Sequence, residues 1–348
     1  MSRTAVVILN YNGEKLLRQF LPSVIQYSSE AEIIVADNNS SDRSISFLQQ
    51  TFPQIRIIQL DKNYGFCGGY NRALKEVVAD YYVLLNSDIE VTSEWLGPMA
   101  SILDHDPTIA AVQPKVLSYH NKNKFEHAGA AGGFIDVLGY PFCRGRIFDY
   151  VEEDHGQYND QREVFWATGA CLMIRAEAFK KFGGFDEDFF AHMEEIDLCW
   201  KLQRTGQKVF YCGKSTIYHV GAGTLSYRNP RKVFLNFRNG LSLLFKHLNT
   251  GELVYKLPLR ILLDVIAAFL FLIKGDAGSF AAVLRAQVKF LFSLRRELRK
   301  RQEIRNALPT YSDAMIYKGS VVVDYFLKGK RHRYKVPVPN QASDGLKT

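Results

Sequence analysis

The sequence predicts an α/β protein built on a largely parallel sheet, and three observations lead to this fold class. The chain has 348 residues, of which 47% are hydrophobic and 23% charged, so it can bury a sizeable core. Short apolar runs alternate with spacers that are long enough for crossover helices. Polar residues follow each run, at the edge where open α/β sheets bind ligands. The same composition excludes fibrous and disordered classes.

Four apolar runs in the first third have the length and composition of buried parallel strands. They are Ala5–Leu9, Ile33–Ala36, Ile55–Leu60 and Tyr81–Leu85. The spacers between and after them predict helices over Glu14–Tyr27, Asp42–Thr51 and Gly68–Val78. Residues 115–163 are rich in glycine and aromatic side chains, and they predict no regular element. A helix is expected from about Met193 to Gly206, where glycine supplies the stop.

The net charge of +8 is concentrated near the carboxyl end, since residues 285–335 carry 14 Lys/Arg and four Asp/Glu. Such a basic segment suits an anionic surface, either phospholipid or nucleic acid. The five cysteines form no C-x-x-C pair, which argues against a zinc site or a disulfide framework and favours a reducing cytoplasm. The first apolar run is too short for a signal peptide, so secretion is not expected.

Two amphipathic helices are expected within residues 241–310. Leu257–Ile273 is nearly continuously apolar, but Arg260 and Asp264 interrupt it, and a spanning helix needs roughly 20 apolar residues. The pattern favours a helix that lies in a membrane surface, while packing of this hairpin onto protein stays open as the alternative. A second stretch sets apolar positions opposite basic ones: Phe280, Leu284, Val288, Leu291, Leu294 and Leu298 against Arg285, Lys289, Arg295, Arg296, Arg299 and Lys300.

Several polar clusters fall at the predicted ligand edge. Asp37 ends the second strand and can accept hydrogen bonds from a ribose or base, whereas a helix N-cap explains the neighbouring Ser41 or Asp42. Asp88 follows the fourth strand, where one carboxylate beside a diphosphate is enough to hold Mg²⁺ or Mn²⁺, although a strand-ending turn is the alternative. The glycine-rich segment 63–71 can bring backbone amides close to a ligand or form a plain tight turn. It matches neither G-x-G-x-x-G nor G-x-x-x-x-G-K-[ST], which disfavours a dinucleotide oxidoreductase and a P-loop NTPase.

The acidic segment 183–200 is the most informative part of the chain. Glu194, Glu195 and Asp197 fall within four positions beside large apolar residues, which predicts partly buried carboxylates. One of them can act as a general base, and a favourable interaction with the helix macrodipole is the alternative. Glu194 and Asp197 share a helix face and Glu195 lies about 100° away, so their roles need not be the same. His219 ends an apolar strand, where a lone histidine is more often structural than a metal ligand.

Seven segments, in order along the chain, carry a resemblance to a known family. They are VVILNYNG, IIVADNNSSD, NYGFCGGYN, LLNSDIEV, FWATGACLMIR, GGFDEDFFAHMEEIDLCWKL and IYHVGAGT. Together, over roughly Thr4–Asn239, they resemble the inverting, nucleotide-sugar-dependent glycosyltransferases of family 2, especially the bacterial rhamnosyltransferase-like branch. This resemblance implies the A-type fold, a Rossmann-like mixed sheet flanked by helices, here with a C-terminal helical membrane-associating extension.

We therefore expect three parts in the chain. The first is a catalytic domain over residues 1–240, with a nucleotide-binding half (1–115) and an acceptor half (116–240). An amphipathic helical extension over 241–310 and a basic tail over 311–348 follow it.

The resemblance also implies roles for the nucleotide and metal residues. Asp37 is expected to hold the nucleoside, with five residues lining its pocket or lying near base and phosphate: Asn10, Tyr11, Asn63, Gly65 and Asn71. Asp88 is similar to the last acid of the metal-binding D-x-D element, whose first acid is replaced here by Asn86. His219 matches a histidine that helps to bind metal or diphosphate, so Mg²⁺ or Mn²⁺ is the expected cofactor.

For the reacting groups, the resemblance implies a base in the acidic segment. Glu195 stands at the second position of a pair usually written Glu-Asp, whose second member is the base. Since Asp has become Glu here, Glu194 or Asp197 could take that role. Three residues resemble the part that faces donor sugar and acceptor: Trp166, Thr168 and Gly169. Inversion is a single in-line displacement, in which a carboxylate takes the acceptor's proton while a cation stabilises the departing diphosphate.

The expected function is a metal-dependent inverting sugar transferase that extends a glycan or lipid-linked acceptor in cell-surface polysaccharide synthesis. We expect it in the cytoplasm, peripherally on the inner face of the bacterial membrane. A sugar-1-phosphate nucleotidyltransferase is one alternative, although NYNGEKLLR lacks the glycine-rich basic loop expected of it. An inactive sugar-binding homologue is another, although the acids are retained. Nucleic-acid binding is not expected, because the basic residues alternate with aliphatic ones.

Overall fold

The computed structural model describes residues 2–127, 129–221, 229–308 and 313–329, and within them a nine-stranded mixed sheet forms the centre of the protein. The elements of the first part are β1 (Thr4–Asn10), α1 (Glu14–Gln26), β2 (Ala31–Asp37), α2 (Ser44–Thr51), β3 (Arg56–Gln59), α3 (Gly65–Ala73), β4 (Tyr81–Asn86), β5 (Ile89–Val91), α4 (Gly97–His105) and β6 (Ile109–Ser118). The middle part contains β7 (Gly133–Ile135), β8 (Pro141–Cys143), β9 (Arg146–Ile147), β10 (Tyr150–Val151), β11 (Gln161–Val164), β12 (Cys171–Arg175), α5 (Ala176–Lys181), a 3₁₀ turn (Glu187–Phe189), α6 (Glu194–Arg204) and β13 (Lys208–His219). The last part contains α7 (Pro230–His247), α8 (Thr250–Ile273), α9 (Ala277–Ala307) and a π-helical turn (Val323–Leu327).

The central sheet has the strand order β11-β13-β6-β12-β4-β1-β2-β3, and β5 pairs with β13. β1 is parallel to β2 and β4, and β2 is parallel to β3. β12 runs antiparallel between β4 and β6, whereas β13 is parallel to β6. Buried apolar side chains form two large clusters in the core of this sheet and its helices. The mixed α/β architecture expected from the sequence is therefore confirmed.

The four strands predicted in the first third are all present, with ends that differ by at most two residues from the prediction. α1 and α2 also agree with the predicted spacers. α3 begins three residues before the predicted start and ends five residues before the predicted Val78; its first residue, Gly65, has a positive φ of 71°. Apolar runs buried on both faces are thus a dependable signal in this part of the chain.

The segment 115–163 has more structure than its sequence pattern indicated. It contains the end of β6 and a small four-stranded antiparallel sheet, in the order β10-β9-β8-β7. These strands have only two or three residues each, too few to show an alternating pattern. At Gly133 a Cβ atom would lie 2.1 Å from the Trp166 indole, so this glycine permits close packing of the small sheet.

The expected domain boundary at residue 240 falls inside α7, a continuous helix of 18 residues. α7 packs against α9 and α8, and buried apolar residues of the three helices form two further clusters. The carboxyl-terminal half of α7 also contacts α6 through Lys246 and His247. The helical extension is therefore joined to the preceding domain without a break.

α8 and α9 form a hairpin whose faces differ from those expected. On α9, exposed apolar side chains such as Leu291 and Phe292 share the outer face with exposed Lys289 and Arg295. The predicted separation of an apolar face from a basic face is therefore wrong. The inner face carries small and polar residues, among them Arg301, which donates to the carbonyl of Phe245 in α7, and Lys300, which pairs with Asp186.

The basic tail is described only over 313–329, and the rest of it lies outside the described residues. In the described portion, the Tyr317 amide donates to the carbonyl of Ile135 in β7 (2.9 Å). This portion therefore packs against the small sheet. Across the parts of the chain that are described, no helix has both the length and the hydrophobicity needed to cross a bilayer.

Candidate active site

The carboxyl ends of the parallel strands bring the predicted nucleotide residues together. Asn10 ends β1 and Asp37 ends β2, and these two residues are partners in the register of the sheet. Asn86 ends β4, where it is the partner of Leu9. Side chains that are widely separated along the chain thus meet at the sheet edge where a ligand was expected.

Asp37 is buried, and its carboxylate is held by two neighbours. The Asn10 amide donates to Asp37 Oδ1 (3.0 Å), while the Ser40 hydroxyl and amide donate to Oδ1 (2.6 Å) and Oδ2 (2.8 Å). The side-chain oxygen of Asn10, Oδ1, is buried without a hydrogen-bond partner in the described part of the chain. Tyr11 beside it is 48% exposed. An unpaired acceptor next to an exposed aromatic ring can bind a base by hydrogen bonding and stacking.

The glycine-rich segment at the start of α3 uses its first amides within the protein. The Gly65 amide donates to Asn63 Oδ1 (2.8 Å). The amides of Phe66 and Cys67 both donate to the carbonyl of Phe190 (3.0 and 3.3 Å). The expectation that this helix N-terminus presents its amides to a ligand is therefore wrong for these three groups. The close approach is made to protein, since a Cβ at Gly65 would lie 2.6 Å from the Phe190 ring.

Two asparagines fix this loop in place. Asn38, which the sequence did not single out as a site residue, donates to Asn63 Oδ1 (3.1 Å) and to the Gly65 carbonyl (3.0 Å). Asn71 donates to the Phe185 carbonyl and accepts from its amide (2.8 Å each). Asn71 thus ties α3 to the segment that leads into α6. Its contact with a nucleotide stays a prediction.

His219 lies between two carboxylates. It ends β13, which pairs with β5 directly after Asp88, and its Nε2 is 3.2 Å from Asp88 Oδ1. Its Nδ1 is 3.0 Å from Oε2 of Glu126, a residue in the segment 115–163, for which the sequence predicted no regular element and no site residue. Burial lowers the pKa of His219, but hydrogen bonds to Asp88 and Glu126 outweigh burial and raise this pKa to about 10. The three buried side chains form one charged cluster.

Asp88 and His219 fit a divalent cation that arrives with a diphosphate. Mg²⁺ usually takes one or two protein carboxylates plus substrate phosphates, and Mn²⁺ prefers similar oxygen ligands. Within the described residues, no group of three or more His, Cys, Asp and Glu side chains is placed to hold a metal ion. The diphosphate and water would therefore have to complete the ligand set, and His219 would have to take part as a neutral imidazole. Of the residues after His219 in the matched segment, 222–224 lie outside the described residues.

α6 begins at Glu194, directly after a strained turn. Phe190, His192 and Met193 have φ values of 65°, 69° and 73°, which are uncommon for residues other than glycine. The turn puts Glu194 and Glu195 in the first helical turn. One carboxylate oxygen of each is buried and has no hydrogen-bond partner in the described structure. Such unpaired buried oxygens are rare and call for an explanation in function.

Glu194 and Glu195 differ in exposure and in pKa. Glu194 is 4% exposed, and burial together with the charge of Glu195 raises its pKa well above the ordinary value. Glu195 is half-buried, and burial raises its pKa to about 7 although backbone hydrogen bonds oppose the shift. A general base works best with a pKa near the working pH, which favours Glu195 over Glu194.

Asp197 is held by two lysines and a histidine. Its Oδ1 lies 2.6 Å from Lys246 Nζ and 2.8 Å from His247 Nε2, and its Oδ2 lies 2.7 Å from Lys201 Nζ. Burial by itself raises the pKa of Asp197, but these partners hold it well below the ordinary value. A carboxylate with a lowered pKa is a weaker base, so this packing favours Glu195 over Asp197 as the base.

Two of the three residues expected to face sugar and acceptor point into the protein. Trp166 Nε1 donates to the Phe134 carbonyl (2.9 Å), and Thr168 is buried beside it in the chain. The contact of these two residues with sugar stays a prediction, which their burial does not favour. Gly169 borders the carboxylates, because a Cβ there would lie 3.7 Å from Glu194 Oε1. Its small size keeps the space next to the acidic pair open.

Backbone contacts place Glu195 close to the carboxyl end of β4. The Gly169 amide donates to the Glu195 carboxylate. The carbonyl of the next residue, Ala170, accepts from the amide of Asn86, which ends β4 (2.9 Å). A cavity of about 370 Å³, lined in part by Glu126 and Val220, opens beside the His219 cluster.

The chain is similar to a family profile and to named enzymes of other organisms. The profile described as Glycosyl transferase family 2 matches residues 5–183. The N-acetylglucosaminyl-diphospho-decaprenol L-rhamnosyltransferase of Mycobacterium tuberculosis is 25% identical over 230 residues, which are 62% of this chain and 75% of the relative. The low-salt glycan biosynthesis hexosyltransferase Agl10 of Haloferax volcanii is 25% identical over 244 residues, 68% of this chain and 73% of the relative.

Two solved structures share the fold. The mannosyltransferase PcManGT from Pyrobaculum calidifontis, in complex with GDP-Man and Mn²⁺, has a TM-score of 0.53 and 15% identity over 84% of this chain and 88% of its own. GalNAc-T7 with UDP, GalNAc and Mn²⁺ has a TM-score of 0.52 and 17% identity over 68% of this chain and 48% of its own. The A-type glycosyltransferase fold expected from the sequence is thus confirmed. The family profile matches more than half of the residues of this chain, and the chain therefore belongs to glycosyl transferase family 2.

Proposed function

We propose that this family 2 glycosyltransferase moves a sugar, with inversion, from a nucleoside-diphosphate donor to a hydroxyl of a glycan or lipid-linked acceptor in cell-surface polysaccharide synthesis. The observation that carries the proposal is Glu195, a half-buried carboxylate with an unpaired oxygen and a pKa of about 7. The Asp37 pocket lies at the edge of the same sheet as the Asp88–His219 pair. The rhamnosyltransferase among the relatives, whose name contains a diphospho-decaprenol, supports a lipid-linked acceptor.

Each residue has a defined part in this reaction. Asp37 binds the nucleoside through its carboxylate, and Asn10 binds it through its side-chain oxygen Oδ1. Glu195 accepts the proton of the acceptor hydroxyl as the hydroxyl oxygen attacks the anomeric carbon from the side opposite the diphosphate. The new C–O bond forms as the bond to the diphosphate breaks, and its electron pair leaves with the diphosphate. Asp88 and His219 would hold Mg²⁺ or Mn²⁺, which, when bound, offsets negative charge on the leaving group.

The proposed reaction predicts an inverted product and a rate that rises with pH. Glu195 must be deprotonated to accept a proton, so with a pKa of about 7 the kcat falls as the pH drops below 7 and levels off above it. NMR of the product's anomeric proton, with Mn²⁺ and a panel of nucleotide sugars, measures both the configuration of the product and the rate of its formation. Retained configuration would contradict inversion. Release of pyrophosphate in place of a nucleoside diphosphate would favour the nucleotidyltransferase.

Asp88→Asn is expected to weaken nucleotide binding only when a divalent cation is present. The substitution preserves the size of the side chain but removes the negative charge that a hard cation requires. We expect the affinity for a nucleoside diphosphate in Mn²⁺ to fall by at least about tenfold, since even indirect ligand changes cost that much. Calorimetric titration with Mn²⁺ measures the effect, and the same titration with EDTA is the control. Equal affinity of variant and wild type in Mn²⁺ would exclude Asp88 from the cation site.

We also propose that the outer face of the α8–α9 hairpin binds an anionic membrane surface. Unlike an ordinary surface helix, α8 buries the charged residues Arg260 and Asp264 and exposes apolar side chains. Arg260 donates to the Leu138 carbonyl (2.9 Å) and to Asp264 (2.9 Å), and its guanidinium lies 3.6 Å from the Tyr140 ring centre. The exposed apolar residues of the hairpin include Leu259, Leu262, Ile266, Phe269, Leu270, Ile273, Val288, Leu291, Phe292 and Leu298.

Charge favours lipid over a second protein as the occupant of this face. Four exposed cationic residues lie among the apolar side chains of α9: Arg285, Lys289, Arg295 and Arg299. Apolar side chains that enter the acyl boundary, with basic side chains at headgroup level, are typical of helices lying on anionic membranes. This face also exposes more apolar side chains than an ordinary protein surface, on which exposed hydrophobic residues are scattered singly.

The double variant Leu262→Asp/Ile266→Asp is expected to lose vesicle binding. Two carboxylates in the apolar face oppose insertion and are repelled by anionic headgroups, so we expect affinity for phosphatidylglycerol vesicles to drop at least about tenfold. Co-sedimentation measures this, with phosphatidylcholine vesicles as the uncharged control. Val78→Asp is the matched protein control, since Val78 is exposed on the catalytic domain. The proposal would be overturned if the wild-type protein did not co-sediment with anionic vesicles, or if it self-associated through this face.

A further inference from the structure

We propose that Asn239 in α7 is a positioning residue for the general base. It acts through the backbone of the strained turn that precedes α6, and the inference rests on the role proposed for Glu195. Asn239 is fully buried and far from the nucleotide pocket in sequence. It touches neither carboxylate, so its effect on the reaction is indirect.

The contacts of Asn239 are concentrated on this turn. Its Nδ2 group donates to the carbonyls of Phe189 (3.1 Å), Ala191 (2.9 Å) and His192 (2.7 Å). An amide NH₂ group has two hydrogens, so these three acceptors share them. One side chain of α7 thus gathers three carbonyls from four consecutive residues.

Arg238 sets the orientation of this amide. Its Nε donates to Asn239 Oδ1 (2.8 Å), so the Asn239 nitrogen faces the turn. Its Nη2 donates to the carbonyls of Asp188 (2.8 Å) and Phe189 (3.0 Å). Together the two α7 side chains bind every carbonyl from 188 to 192 except that of Phe190. The Phe190 carbonyl accepts the first amides of α3, so the turn is held from both sides.

The turn needs such support because of its backbone conformation. Phe190, His192 and Met193 all have positive φ, and such conformations persist only where the surroundings over-determine them. α6 starts at the next residue, so the turn sets where Glu195 projects from the helix. Proton transfer requires the base within hydrogen-bond reach of the acceptor hydroxyl, and a misplacement of about 1 Å costs about 100-fold in rate. Asn239 and Arg238 thus link α7 to the position of Glu195 and, through it, to the reaction.

The test compares Asn239→Ala with Asn236→Ala, a change one helical turn earlier in α7. We expect Asn239→Ala to lower kcat by about 100-fold while the donor's dissociation constant changes less than about twofold. The lower limb of the kcat–pH profile should also move from about 7 towards lower pH, because a relaxed turn admits water to Glu195. Asn236→Ala should leave both quantities unchanged.

A purely structural role predicts a different result. It lowers kcat only in proportion to the unfolded fraction, measured by circular dichroism, and leaves the pH limb in place; that outcome overturns the proposal. If Asn239→Ala does not fold, Arg238→Met provides the same test, since it keeps an unbranched apolar stem and removes the donors. Wild-type kcat and pH limb in that variant also overturn the proposal. Glu195→Gln, assayed in parallel, separates the two ideas, since an active Glu195→Gln enzyme refutes the base itself.

Discussion

Replacing Glu195 by Gln is expected to lower kcat by about 100- to 10,000-fold, while the affinity for the nucleotide stays nearly unchanged. Gln has the size of Glu but no basic oxygen, so it cannot take the acceptor's proton. The nucleoside pocket around Asp37 is built from β1 and β2 and does not use α6. Transfer assays with saturating donor, together with calorimetric titration of the nucleoside diphosphate, measure the two quantities separately.

Glu194→Gln is the matched control for this experiment. Burial and the charge of Glu195 raise the pKa of Glu194 well above the ordinary value, which makes Glu194 the less suitable base. Gln keeps the shape of this side chain, and we expect kcat within about threefold of wild type, less than the loss of a base produces. An inactive Glu194→Gln enzyme beside an active Glu195→Gln enzyme would transfer the role of base to Glu194.

Lys246→Met is expected to lower the free energy of unfolding by about 3–5 kcal/mol. Lys246 is 1% exposed and lies 2.6 Å from Asp197 and 2.8 Å from Asp186. Burial lowers its pKa, but the two carboxylates outweigh burial and raise it, so the charged form is the stable one. Met fills similar space but leaves two buried carboxylates without their shared cation. Urea denaturation monitored by circular dichroism measures the change.

Lys318→Met is the control, because it breaks an ion pair at the surface. The Lys318 and Asp313 side chains are 62% and 50% exposed, and such pairs contribute less than about 1 kcal/mol. A loss for Lys246→Met as small as the loss for Lys318→Met would contradict the importance of the buried network. Lys201→Met removes another partner of Asp197, one that is 12% exposed, and should give an intermediate loss.

The parallel half of the fold and part of the site could be predicted because their signals are local. Each buried strand is a short apolar run, and the polar residue after it reaches the ligand edge whatever the rest of the chain does. Asn10 and Asp37 were predicted in this way, and the register of β1 and β2 makes them partners. His219 ends a strand too, Asp88 follows shortly after one, and their side chains meet at 3.2 Å.

Other parts of the site could not be predicted, because their partners are distant in sequence. Glu126 lies 93 residues before His219, in a segment whose strands are too short to show a period. Asp197 has the sequence context of a catalytic acid, but on α7 Lys246 pairs with it and His247 lies within hydrogen-bond distance of it. Nothing near Asn239 in the chain points to the turn that it clamps, 47 residues earlier.

By itself the sequence determined the family, the order of the parallel strands along the chain and the residue types available at their ends. Hydrophobic periodicity and motif spacing are properties of neighbouring residues, so they can be read without a structure. Only the tertiary structure decided which carboxylate is unpaired and which is neutralised, because the pKa of a buried acid depends on the charges that packing brings to it. It likewise decided that α8 turns Arg260 and Asp264 inward and its apolar side chains outward, since Tyr140 and the Leu138 carbonyl supply the partners for those charges.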